Sequence, residues 1–177
     1  MLFRSGIDVA RATALEHLAG STGSTSEKAV QQLHRLPESA LIDMGDFAGG
    51  MLKYLRRHPV KKLTIAGGFA KMTKLGQGLL DLHSRAGQVD RTWLAELLLG
   101  AGAPHDLVER ARSANSALQV LQEADARGVR VGELVARAAW QTAAEVLDGS
   151  GIDLDTAVFD REGKLIGEAH DLPLNRR

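Results

Sequence analysis

Three times in its first 85 residues the chain passes from a short apolar run through glycines into a helical pattern. The runs are His17-Leu18-Ala19, Ala40 to Met44 and Leu63 to Ala66. The glycines that follow are Gly20 and Gly23, Gly45 with Gly49 and Gly50, and Gly67-Gly68. Such units, repeated every ~20 to 25 residues, predict a short parallel sheet with crossover helices, since parallel strands need long connections. The same constraint locates a ligand site. Open parallel sheets bind outside the carboxyl ends of their strands, where all three glycine turns would gather.

The third unit, Lys62 to Arg85, carries the most chemistry. It predicts a strand over Leu63–Ala66, a turn at Gly67-Gly68 and a helix from about Ala70 that runs on to Arg85. Glycines there let the backbone turn sharply or approach a ligand, and a helix start offers free N–H groups to anions. On that helix Met72, Leu75, Leu79, Leu80 and Leu82 share one arc, the core-facing stripe. Lys71, Lys74, Gly78, Asp81 and Arg85 form a second, mostly basic stripe. Gly76 and Gly78 each cost roughly 1 kcal/mol against alanine in a helix interior. A close neighbour is therefore expected at both.

Elsewhere the pattern is plainer. Met1 to Ser5 carries no signal and reads as a ragged start, and Ile7 to Leu15 is a modest helix packing through Ile7, Val9, Ala10 and Ala14. Ser24 with Glu27 three residues on fits a capping box for the next helix. The same polar turn, Gly20 to Glu27, equally suits a phosphate or carboxylate. After Gly45-Asp46 a helix with Phe47, Met51, Leu52, Tyr54 and Leu55 on one face runs to His58, where Pro59 ends it. Beyond Arg91 the chain is helical: Trp93 to Leu98, a helix begun by Pro104, Asn115 to Ala126 closed by Gly128, and Val131 to Leu147. Leu154–Phe159 and Lys164–Ile166 form a closing strand pair, and His170–Arg177 reads as a frayed tail. With no repeat and no low-complexity linker, residues 1–177 are expected to form a single α/β domain.

Composition removes several functions. Twenty-two basic and 22 acidic side chains give no net charge, unlike a general nucleic-acid binder. No apolar run approaches the roughly 18 residues of a membrane span, and no secretory pattern opens the chain, so a cytoplasmic protein is expected. Without cysteine there is no disulfide, thiolate metal site or thiol nucleophile. The histidines lack H-x-x-x-H and H-E-x-x-H spacing, so no metal site is expected, and the G-x-S-x-G elbow and G-x-G-x-x-G fingerprint are absent. Asp46 reads either as the N-cap of the helix from Phe47 or as a ligand-contacting carboxylate. Lys71 and Lys74 read either as solvated surface charges or as anion ligands. His83 falls inside the apolar arc if the helix continues that far, as a satisfied, partly buried histidine or as a catalytic candidate. Two classes of function remain: an enzyme, or a non-catalytic α/β module that binds a carboxylate- or phosphate-bearing ligand or a partner protein.

The literal residues narrow this further. AGGFAKMTKLGQGLLDLHSR resembles the GK-x-x-K-x-x-x-G…THSR region of the cobalt-precorrin-5B C(1)-methyltransferases of anaerobic cobalamin biosynthesis. Gly23-Ser-Thr-Ser26-Glu27 is similar to that family's T-G-x-x-S-E turn, and Met44-Gly45-Asp46-Phe47-Ala48-Gly49 to its G-D-F-x-G turn. Val158 to Gly163 also fits. The resemblance covers nearly the whole chain but only the C-terminal half of a family member. It departs at Ala70, where the family has glycine before the lysine, and at Leu82, where threonine is usual.

What the resemblance implies is methyl transfer from S-adenosylmethionine to ring carbon 1 of cobalt-precorrin-5B, giving cobalt-precorrin-6A. It implies a cobalt-containing tetrapyrrole and the missing N-terminal half as partners. Asp46 and His83 become candidate catalytic residues. Gly23, Ser26, Glu27, Gly45, Asp46, Gly67, Gly68, Lys71, Lys74, His83 and Arg85 become candidate donor- or substrate-binding residues. Lys71, Lys74 and Arg85 would suit the carboxylates that fringe the macrocycle.

Overall fold

A computed structural model describes residues 2–174. Its five-stranded sheet has the order β2-β1-β3-β4-β5, formed by β1 (His17–Ser21), β2 (Leu41–Asp43), β3 (Lys62–Gly68), β4 (Asp153–Phe159) and β5 (Leu165–His170). β1, β2, β3 and β4 run parallel, with Ala19 beside Leu41 and Thr64 beside Asp155. β5 returns antiparallel to β4 as the expected closing pair. The predicted α/β class and parallel sheet are therefore observed.

Side chains alternate across the sheet, so its two faces are built differently. One face turns Leu18, Ile42, Leu63, Ile65, Leu154 and Val158 into the large core. That core is closed by α1 (Leu2–Ala12), α3 (Ala48–Arg57), α4 (Phe69–Gly76) and the long α8 (Val131–Leu147). The other face is nearly flat, with Ala19, Ala66 and Ala157 beside Phe159, and α2 (Ser24–His34) packs on it through Ala29 and Val30. Between α4 and α8 the crossover to β4 also carries α5 (Arg91–Gly100), α6 (His105–Ser113) and α7 (Ala117–Asp125). Among the described residues no helix is long and apolar enough to cross a membrane.

Several expectations need correction. The start is helical from Leu2, because Phe3, Ile7 and Ala10 recur at helical spacing and are buried; Val9 is 56% exposed, and exposed Ala14 ends the helix at φ 56°. Ser24 and Glu27 make no capping box. Gly23 is the N-cap, the Ser26 hydroxyl donates to the Gly23 carbonyl at 2.9 Å, and the Glu27 carboxylate accepts from the Ser21 hydroxyl. Phe47, not Asp46, occupies the N-cap of α3; at the helix mouth instead of inside it, Phe47 is 53% exposed. Gly67 and Gly68 are the last two residues of β3, paired with Val158 and Phe159, and not a turn.

The largest revision concerns α4, which stops at Gly76 instead of reaching Arg85. Gly78 takes φ +94°, its N–H donates to Leu75, and the Leu79 N–H donates to Lys74. That is a Schellman stop, for which glycine at the left-handed position is the usual residue. The basic stripe therefore breaks after Lys74, which is itself buried, and His83 lies exposed in a loop, not on an apolar arc. Gly76 does have the expected close neighbour: a Cβ there would sit 3.0 Å from the Ala138 Cβ and 3.1 Å from Trp93. Later elements shift slightly. α7 starts at Ala117, capped by Ser116, and β5 includes His170. The predicted frayed tail runs past Leu174, so residues 175–177 of it, like Met1 of the predicted ragged start, lie outside the described residues.

Candidate functional site

The carboxyl ends of β1, β3 and β4 open into a cleft of about 860 Å³. Its walls come from four segments: Thr22–Ser26, Gly68–Lys71, one side of α7 along its length from the Ser116 cap to Asp125, and Phe159–Glu162. Three helices thus begin at one cavity. The first N–H groups of any helix lack an intrahelical acceptor and carry a partial positive charge, so such an edge favours anions. At α7 the Ser116 hydroxyl covers one of them, accepting from Gln119 at 3.2 Å. α2 and α4 start at Gly23 and Gly68 with no side-chain cap. A Cβ added at either glycine would meet no atom within 4 Å, so their backbone is open to an approaching ligand.

Charge is mixed around this rim. Lys71 is half-buried and ion-paired with Asp46, which joins α4 to the turn after β2. Arg161 supplies a second cation, and Asp125, Asp160 and Glu162 supply carboxylates. One oxygen of Asp160 is already used, accepting from the amides of Glu162 and Lys164 at 3.0 and 2.8 Å. The cleft can therefore take a ligand that bears both carboxylates and a cationic or hydroxyl-rich part.

Four of the predicted site residues, Gly23, Ser26, Gly68 and Lys71, line the cleft, and Asp46 joins them through its ion pair. Gly67 lies directly behind: its Cβ would sit 2.9 Å from both the Met72 sulfur and the Thr22 hydroxyl. Glu27 and Gly45 fall outside the lining. Gly45 holds φ +52° and donates its N–H to Asp43. Lys74, His83 and Arg85 form a separate group around the 77–90 loop. The Lys74 ammonium donates to the Leu82 carbonyl at 3.1 Å, and His83 accepts the Arg85 N–H at Nδ1. Among the described residues no three His, Asp or Glu side chains come together to hold a metal.

Sequence reasoning missed the α7 wall. Ser116 ahead of Ala117–Asp125 is a recognisable N-cap, but nothing in the local pattern says that this helix lies along the ends of strands that are distant in the chain.

A family model described as CbiD, C-terminal domain, matches residues 81–170. The chain is 68% identical over 177 residues to a protein of Bradyrhizobium sp. (strain BTAi1 / ATCC BAA-1182) named cobalt-precorrin-5B C(1)-methyltransferase; the match covers 97% of this chain and 47% of that protein. Proteins with the same name from Paramagnetospirillum magneticum and Methylorubrum extorquens are 57% and 58% identical, covering 93% and 91% of this chain and 46% and 45% of theirs. No solved structure matches. The chain spans about half the length of the curated relatives it matches, and it belongs to the CbiD family through that family's C-terminal domain.

Proposed function

We propose that this chain is the C-terminal portion of a cobalt-precorrin-5B C(1)-methyltransferase and builds part of its active site. The observation that carries the reading is the cleft itself, with two uncapped helix starts and the open backbone of Gly23 and Gly68 at the ends of parallel strands. The substrate is the cobalt-containing tetrapyrrole and the methyl donor is S-adenosylmethionine, which supplies a methyl group already activated on a sulfonium. The protein's task is then alignment and electrostatics more than proton chemistry.

The starts of α2 and α4, with Lys71 and Arg161, receive carboxylates through N–H groups and cations. Asp125 and Glu162 face the cationic or ribose part of the donor across the same cleft. Asp46 holds Lys71 in place through their ion pair. Gly45 and Gly67 shape the strand ends, Ser26 and Glu27 brace the β1–α2 turn, and the polar parts of the site not present in this chain come from the rest of the enzyme, in the cytoplasm.

Calorimetric titration with S-adenosylhomocysteine, run on the chain alone and then with the separately expressed N-terminal half of a relative, tests this. Binding in at least one arm is expected. With both halves present, Lys71→Ala should weaken tetrapyrrole binding roughly tenfold, the size of one charge-assisted hydrogen bond of about 1.4 kcal/mol. No binding of either ligand with both halves present would leave the alternative, a non-catalytic binding module.

A further inference from the structure

We propose that Lys74 is a positioning residue that holds the 77–90 loop and sets the orientation of His83, and is not itself a ligand contact. This inference goes beyond the function proposed above; only the identity of what His83 meets rests on it.

The geometry forms a closed ring. Lys71 of α4 pairs with the Asp46 carboxylate. The Asp46 carbonyl accepts from the Leu82 N–H at 2.8 Å. The Leu82 carbonyl accepts from the Lys74 ammonium at 3.1 Å, which returns the ring to α4 one turn after Lys71. Both backbone groups of Leu82 are thereby committed, and its side chain is fully buried. Next to it, the Gly49 N–H donates to the Leu80 carbonyl at 2.8 Å, and a Cβ at Gly49 would lie 2.7 Å from the Leu80 Cβ. The loop is thus pinned at residues 80 and 82 against the start of α3.

Lys74 is only 8% exposed. A lysine is a costly way to fill apolar space, because its ammonium loses water and a methionine or leucine would pack as well without that loss. What it adds is a charged donor aimed at one carbonyl in an otherwise irregular segment. The consequence falls on His83. Its N–H donates to the Asp81 carboxylate at 3.0 Å, and its Nδ1 accepts the Arg85 N–H at 3.1 Å. With Nδ1 an acceptor, the neutral ring carries its proton on Nε2. His83 therefore presents a fixed Nε2–H donor from an exposed loop, one ion pair removed from the cleft wall at Lys71.

Lys74→Met, which keeps the stem volume and deletes the donor, tests this in the 177-residue chain. The expected result is an unchanged or higher melting temperature, loss of the single-tautomer imidazole 15N signature of His83, and trypsin cleavage after Arg85 at least about tenfold faster. A wild-type tautomer signature and wild-type cleavage rate in a folded Lys74→Met protein would overturn the proposal. Hydrogen exchange of the unaltered chain supplies an independent check should that variant not fold. The Leu82 amide is expected to be protected, and exchange there at the rate of an unstructured peptide would equally overturn the clamp. None of these readouts uses activity, so failure of the clamp and failure of the methyltransferase reading are distinguishable.

Discussion

A methyl group added at Gly68 meets no protein atom, whereas one added at Gly67 sits 2.9 Å from the Met72 sulfur and the Thr22 hydroxyl. The two neighbours should therefore behave differently. Gly68→Ala is expected to move folding stability by no more than about 0.5 kcal/mol, since its φ of −69° suits any residue. It should still weaken binding of S-adenosylhomocysteine or tetrapyrrole several-fold if a ligand lies against that backbone, as parallel thermal melts and calorimetry would show. Loss of stability without loss of binding would place the ligand elsewhere in the cleft. At this scale much was legible: glycine at 68 reads as a point of close approach, and its backbone is open where it lines the cleft. Gly78 shows the limit. Its presence was plain, but a glycine inside an apolar 3.6-residue pattern fits both a close-packed helix and a left-handed stop. The tertiary environment chose the stop at φ +94°.

At the scale of elements, the tightest junction lies between α8 and β5, where Gly167 sits across Val158 from Gly67. A Cβ at Gly167 would come within 2.1 Å of the Gly132 carbonyl oxygen, and one at Gly132 within 2.3 Å of the Ile166 carbonyl oxygen. Backbone here meets backbone, so no side chain can move aside. α8 is also tied to β4: the Trp140 indole donates to the Leu154 carbonyl at 2.7 Å, and the Thr156 hydroxyl to the Ala136 carbonyl at 2.8 Å. Gly167→Ala must push the helix off the strand pair, an overpacking cost of roughly 3 kcal/mol. Urea titration should show the loss as a lower midpoint. An unchanged midpoint would mean that α8 and β5 are not in backbone contact. The strand pair and α8 were each readable from their own patterns. Their contact was not, because neither Gly132 nor Gly167 carries a local signal for a partner more than 30 residues away.

For the whole molecule, the face of the sheet under α2 is divided. Its apolar part is covered by one short helix, and its remainder is a polar cluster at the opposite edge from the cleft. Lys62 bridges Asp155 at 2.7 Å and Asp153 at 3.5 Å, His17 Nε2 bonds the Thr64 hydroxyl at 2.8 Å, and His34 packs edge-on against His17. Burial holds both imidazoles below the ordinary histidine range, helped at His17 by His34 and Lys62 and at His34 by Lys62, against the opposing pull of Asp155. The unfolded chain then takes up protons at a higher pH than the folded one. Stability should fall as pH drops through about 6.5 and level off once the folded imidazoles are charged. The double variant His17→Gln, His34→Gln should flatten that slope in denaturant titrations between about pH 5 and 7. A wild-type slope in the variant would assign it to other groups.

The sequence by itself determined the parallel sheet, the closing strand pair, most helix positions and the glycine-rich strand ends. These follow from near-neighbour effects: side-chain period, capping residues and backbone freedom. Family membership was also legible, through three short motifs in order. Only the tertiary structure decided that α7 walls the cleft, that Lys74 is buried while Lys71 faces Asp46, and that His83 belongs to a pinned loop. A helical wheel assigns faces only as far as the helix runs. Which carbonyl a lysine reaches depends on segments that meet through the β3–β4 crossover, and no local pattern encodes that meeting.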